Sequence, residues 1–245
     1  MAEVYLIGTI HTDIHGPNRL EKRLHEIKPD IVLVEGNHFI ENEGNLYLFF
    51  LEQELKKKNI NPAFIDVILK ESKTMGSTFE TPTSKSYALD SGAEFDYLGD
   101  FNKGASSAFR MIFEAKKNSE GYAKTTLEQF LQRVEYNRTE NQRAIDEAWE
   151  EWKSIEGTDE EKTFALNRIE DITKRLGLFG GVGPRDKQME AKLKSAISAN
   201  PQSRIASVIG YNHNLNDQNN RTLYRLMSVD SQSSGNNIHR VYLYD

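Results

Sequence analysis

Two kinds of apolar pattern alternate along this chain: short runs with no polar gap, and longer stretches in which apolar positions recur every three or four residues. The first short run, Val4-Tyr5-Leu6-Ile7, predicts a buried strand that begins near residue 3. Gly16-Pro17-Asn18 then opens a helix, with Pro at an early helical position. Leu20, Leu24 and Ile27 repeat at helical spacing, and Pro29 disfavours a helical residue before it and ends the helix. Ile31-Val32-Leu33-Val34 is apolar at every position, as in a parallel sheet covered on both faces. Residues 3–35 therefore read as one strand–helix–strand unit.

Helices are expected over 46–58, 61–72 and 83–91, and a weaker third strand over Glu94–Leu98. From about 103 to 176 the chain is helical in pattern and densely charged. Three apolar stripes run through it: Leu127/Leu131/Val134, then Ile145/Trp149/Trp152, then Phe164/Ile169/Ile172/Leu176. Gly157-Thr158-Asp159 separates the last two, with Thr158 as a helix cap. A glycine-rich stretch from Gly177 to Gly183 precedes a helix expected over 184–199. Ile205–Ile209 is a fourth strand and Ile238–Tyr244 a fifth. The pattern predicts an α/β fold: a mostly parallel sheet of about five strands flanked by helices, in one domain over 1–245. A large helical excursion over about 103–180 is expected to be a lid or the contact surface of a homodimer.

Composition narrows the function classes. The chain has 245 residues, enough for a sizeable core, and a net charge of -6. No basic block exceeds Lys56-Lys57-Lys58, so nucleic acid is not an expected partner. Cysteine is absent, which excludes disulfides, thiolate metal sites and a Cys nucleophile and fits a reducing cytoplasm. No apolar run is long enough to span a bilayer, and the N-terminal pattern is that of a strand rather than a signal peptide. The expectation is a soluble, cytoplasmic chain, in which the Asn-x-Thr matches at Asn137 and Asn220 are chance.

The candidate chemistry lies at the strand ends. His11 follows the first strand in Gly8-Thr-Ile-His11, and His213 follows the fourth in Gly210-Tyr-Asn-His213. Glu35 closes the second strand, and Asp100 follows the third. In an open parallel sheet these ends share one edge, where ligands bind. A buried carboxylate such as Glu35 is costly unless paired or coordinated. Gly8 and Gly210 would let the chain turn sharply or let a ligand approach the backbone. Two histidines and a carboxylate suit a divalent metal with an open position for water or substrate; the same groups without a metal suit acid–base work. Asp100 is expected to cap the next helix or to orient a histidine. His15 reads as an auxiliary ligand, His25 as structural, and His38 as near the rim. The glycine-rich stretch does not match a phosphate-binding loop, but it delivers Arg185 to a first helical turn, ready for an anionic substrate group or for Glu35 or Asp100. No serine elbow occurs.

Three blocks resemble the TraB/PrgY family, within a wider group that includes Tiki proteases, ChaN-type haem-binding proteins and erythromycin esterases. They are IGTIHTDIHGPNRLEKRLHEIKPDIVLVEG at 7–36, GPRDKQMEAKL at 183–193, and IASVIGYNH at 205–213. The resemblance implies a compact α/β fold with a site built from His11, Glu35, Arg185 and His213. It implies a metal-dependent hydrolase of a peptide or another acyl bond, with His11, Glu35 and His213 holding Mn, Co, Zn or Fe. TraB/PrgY members are described as inhibitors of peptide pheromone signalling. Its other branches imply a peptide- or haem-binding protein without turnover, or an esterase that uses histidine without a metal. Gly183-Pro184 stands where the family often has Glu before Arg185, and the C-terminal membrane helices of TraB are absent.

Overall fold

The computed structural model describes residues 1–36, 38–76, 78–99, 106–176 and 182–244. Within them the strands are β1 (Glu3–Thr9), β2 (Ile31–Val34), β3 (Glu94–Tyr97), β4 (Arg204–Gly210) and β5 (Asn237–Tyr242). The helices are α1 (Gly16–Ile27), α2 (His38–Lys57), α3 (Pro62–Gly76), α4 (Glu80–Ser91), α5 (Ser106–Tyr122), α6 (Leu127–Ile155), α7 (Asp159–Leu176), α8 (Pro184–Ala199) and α9 (Leu223–Ser234). A single 3-10 turn, Tyr211–Asn214, follows β4.

The sheet has the order β3-β2-β4-β1-β5, and every pairing is parallel. This is the α/β architecture that the unbroken apolar runs predict. β2 is buried at all four positions, and β1 at five of seven. β4 runs beside both β1 and β2, with Thr9 opposite Gly210 and Val34 opposite Val208. The carboxyl ends of these three central strands therefore share one edge.

The described chain divides into two compact units. The first comprises Met1–Gly36, Phe79–Asp100 and Ile145–Asp245 and holds the sheet. Its core joins Leu20 and Leu24 of α1, Val32, Val34, Ala206 and Val208 of the sheet, and Ile145, Trp149, Trp152 and Ala165 of α6 and α7. The second comprises Asn37–Thr78 and Phe101–Ala144. Here α2 packs against α3 and α5 around Leu51, Leu55, Ile65, Ile68, Phe130 and Val134.

The helical segment thus divides differently from a single excursion over 103–180. Its second half belongs with the sheet, because the Ile145/Trp149/Trp152 stripe is sheet core. Its first half shares a core with α2 and α3 instead. Periodicity shows that a stripe is buried but not what buries it. Two helix starts also differ from expectation: α2 begins at His38, before its apolar pattern, and α4 begins at Glu80. Residues 177–181 of the glycine-rich stretch 177–183 lie outside the described residues.

Candidate functional site

β1 delivers His11 through a short loop that is tied down locally. Asp13, which is buried, donates its backbone N–H to the carbonyl of Ile10 and accepts from the backbone N–H of His15 and from Arg19. Beyond β4, the 3-10 turn carries His213, and Asn214 on the same turn donates to the carbonyl of Leu6 in β1 at 2.8 Å. Both histidines are thus held at the carboxyl edge by the strands they follow.

Glu35, the residue after β2, lies between them. Its side chain is only 6% exposed. Arg185, in the first turn of α8, donates to Glu35 Oε1. His213 Nε2 stands 3.3 Å from the same oxygen, and the backbone N–H of Gly210 donates to Oε2 at 2.7 Å. The carboxylate that sequence alone marks as costly is therefore paired three times over. Burial opposes its charge, but His213, Arg185 and His11 outweigh burial and hold it well below the usual carboxylate range.

Each histidine is oriented from behind by a buried acid. His213 Nδ1 lies 2.9 Å from Oδ1 of Asp186, which is fully buried. Asp186 Oδ2 also accepts from the N–H of Gly183 at the start of α8, and Oδ1 from the N–H of Leu223 at the start of α9, at 2.7 and 2.6 Å. Burial would discharge the His213 ring, yet Glu35 and Asp186 on either side push it up to about 10. With a carboxylate facing each ring nitrogen, the surroundings of His213 favour its charged form. His11 Nδ1 lies 2.7 Å from Oε1 of Glu80, and its side chain is 47% exposed against 3% for the acid. Its partial withdrawal from water opposes protonation, but Glu80 and Glu35 raise its pKa.

The two glycines of the repeated Gly-x-x-His pattern serve different ends. Gly8 lies inside β1 rather than at a turn. A Cβ there would meet the Tyr242 ring at 2.8 and 2.9 Å, so this glycine is a packing requirement of the sheet. At Gly210 a Cβ would lie 3.3 Å from both Glu35 Oε2 and His11 Nε2. A side chain there would enter the space between Glu35 and His11.

His11, Glu35, Arg185 and His213 therefore gather at one rim, as sequence position predicts. Asp100 lies outside the described residues, as does the side chain of His38. His25 packs edge-on to Tyr87, and His239 stacks on Tyr5 in β1, so neither joins the rim. His15 stands at the N-terminus of α1 with its N–H on Asp13. Sequence reasoning missed Glu80 and Asp186. Asp186 carries a partial signal, since an acid three residues past a helix start is a common cap and it caps Gly183 here. Nothing around Glu80 in the sequence marks its contact with His11.

The donor types fit a divalent cation: two histidines with Nδ1 fixed by carboxylates, and one carboxylate between them. Among the described residues, however, no three His, Asp or Glu side chains stand in a metal-holding group. Glu35 is engaged by Arg185 and the Gly210 N–H. Metal binding would require Arg185 to release Glu35 and His213 to lose its proton. Among the described residues no helix is long and apolar enough to cross a membrane. No protein-family model matches this chain, and no curated protein or solved structure matches it.

Proposed function

We propose that this chain is a hydrolase that cleaves a peptide or another acyl bond with water activated by His11. The observation that carries the reading is the placement of His11. Its Nδ1 is fixed by a buried acid, its ring is accessible, and its Nε2 borders the same 3.3 Å space as Glu35 Oε2. Neutral His11 Nε2 takes a proton from water as the water oxygen bonds to the acyl carbon. The tetrahedral oxyanion is stabilised by Arg185, the part-exposed cation of the rim, while both ring nitrogens of His213 stay on Glu35 and Asp186. The C–O or C–N bond then breaks, and His11 returns the proton to the leaving group. Glu35 holds the two cations together and cancels part of their repulsion. The resemblance to the TraB/PrgY family supports the same class of reaction.

A second reading has its own observation. Both Nδ1 atoms are committed to carboxylates, which leaves both Nε2 atoms as ligands beside Glu35. His11, His213 and Glu35 would then hold a divalent ion, which would supply Lewis-acid polarisation and a more acidic water.

The test is a panel of activated esters and short peptides, assayed with purified protein as prepared, after chelation, and after reloading with Mn, Co, Zn or Fe. The His-base reading predicts hydrolysis that survives chelation and is lost in His11→Ala. Activity that appears only with added metal favours the second reading. Hydrolysis undiminished in His11→Ala overturns both readings of His11, and none under any condition overturns both and leaves a ligand-binding protein.

A further inference from the structure

Glu80 is a buried acid whose arrangement is poorly explained by folding. It lies in the first turn of α4, where a carboxylate is favoured by the helix field at a solvated surface. Here it is only 2% exposed. One oxygen, Oε1, takes both His11 Nδ1 at 2.7 Å and the Thr9 hydroxyl at 2.6 Å. The other, Oε2, is buried without a hydrogen-bond partner among the described residues. An apolar side chain of similar volume would avoid that desolvation, so the carboxylate is retained for something other than packing.

The contacts of Oε1 show what that is. Thr9 is the last residue of β1 and pairs with Gly210 across the sheet. α4 packs against α1, which follows the His11 loop. Glu80 is thus anchored to the same strand end that carries His11. A carboxylate in front of Nδ1 accepts a hydrogen bond and donates none, so the ring must carry a proton on Nδ1. A free histidine ring prefers the opposite tautomer, with the proton on Nε2. In that form Nε2 would be a donor beside Glu35 and unable to take a proton.

We infer that Glu80 is a positioning residue that holds neutral His11 in its Nδ1–H tautomer and turns a basic Nε2 into the space beside Glu35 and Gly210. Its consequence for catalysis rests on the reading of His11 as the water-activating base, but the tautomer itself does not. Thr9 fixes which way the carboxylate faces. Asp186 faces Nδ1 of the other ring in the same way, but there a second carboxylate, Glu35, faces Nε2.

The experiment is nitrogen-15 NMR of the imidazole rings in the full chain, at a pH where His11 is neutral. His11 is assigned by the signals missing in His11→Ala. The parent is expected to show a protonated Nδ1 and an unprotonated Nε2. Glu80→Met, which keeps volume but removes the acceptor, is expected to move His11 to the Nε2–H form. Glu80→Gln is expected to retain Nδ1–H, because the Thr9 hydroxyl holds the amide oxygen toward the ring. An Nε2–H ring in the parent, or an unchanged tautomer in Glu80→Met, overturns the inference. In the hydrolysis assay Glu80→Met is expected to lose about 10- to 100-fold in kcat with little change in KM. The expected tautomers without any hydrolysis would sink the proposed reaction and leave the positioning role standing. Hydrolysis that needs His11 but is unaffected in Glu80→Met would do the reverse.

Discussion

Arg185 donates to Glu35 across 150 residues of sequence, joining the first turn of α8 to the end of β2. The pair is the centre of an alternating arrangement of charges. Asp186 backs His213, His213 and Arg185 face Glu35, and Glu80 backs His11 on the other side. Each buried charge has an opposite neighbour, which is the condition for keeping ions at a sheet edge. Since the partners come from five different segments, the cluster reports on the whole sheet unit as well as on chemistry.

Alanine substitutions at the two motif glycines should separate packing from function. Gly8→Ala pushes a methyl into the Tyr242 ring, with contacts of 2.8 and 2.9 Å. It should cost about 1–3 kcal/mol of stability in urea unfolding. Gly210→Ala meets Glu35 and His11 at 3.3 Å, which small side-chain shifts relieve. It should leave the unfolding midpoint nearly unchanged while it fills the space where the proposed reaction places water, and hydrolysis should fall at least about tenfold. Equal stability losses in the two variants would contradict this division.

Stability should also trace the charge cluster against pH. His213 is raised from its ordinary 6.5 to about 10, so its contribution is fully present below 6.5 and is lost as pH climbs through about 10. Glu35 is lowered from 4.5, so its contribution is present above 4.5 and is lost as pH falls toward its depressed folded value. From these two groups the unfolding free energy should plateau between about 4.5 and 6.5 and decline on the alkaline side. Urea midpoints across that range test it. In His213→Gln the alkaline decline should flatten, and a wild-type alkaline slope in that variant would show that another group titrates.

The pH–rate profile should carry a different signature. In the proposed reaction His11 must be neutral to accept a proton, and Glu80 and Glu35 raise its pKa from 6.5 against burial. The rise of kcat/KM with pH should therefore centre above 6.5. A midpoint below 6.5 would mean that the essential base is not His11 in this setting.

Asp186→Ala should be the most damaging single change at the site. It strips the acceptor from His213 Nδ1 and from the backbone N–H groups of Gly183 and Leu223, all in a fully buried position. A loss of about 3–5 kcal/mol is expected from breaking a buried charge pair. Asp186→Asn, which keeps the shape and an acceptor oxygen, should lose less. Unfolding midpoints that do not rank in this order would contradict the role of the charge.

A second buried ion pair lies away from the rim and offers a control. Glu161 of α7 is fully buried and accepts from Arg240 of β5, the N–H of Asn216 and the N–H of Gly157. Glu161→Ala and Arg240→Ala should each cost about 3 kcal/mol, because each leaves the other charge unpaired. The double variant should cost clearly less than the two losses added together. Strict additivity in urea unfolding would show that the pair is not coupled.

Much of the fold is written in local pattern. The unbroken runs Val4–Ile7 and Ile31–Val34, and their parallel pairing with β4, follow from burial on both faces of a sheet. The helix over 184–199 is bounded as its Pro start predicts. Four of the rim residues are also legible, because a strand end in a parallel sheet places whatever follows it at one edge. The sequence by itself therefore determines the sheet, its edge and the presence there of two histidines, an acid and an arginine. Three matters are decided only in the tertiary structure. Apolar stripes look alike whichever surface buries them, so only packing assigns Trp149 and Trp152 to the sheet core and Val134 to the other unit. Gly8 and Gly210 share a motif but face different neighbours, a ring in one case and the site in the other. Glu80 and Asp186 gain their meaning from histidines 69 and 27 residues away. A charge is tuned by what lies within a few ångströms of it, and chain order carries no record of that distance.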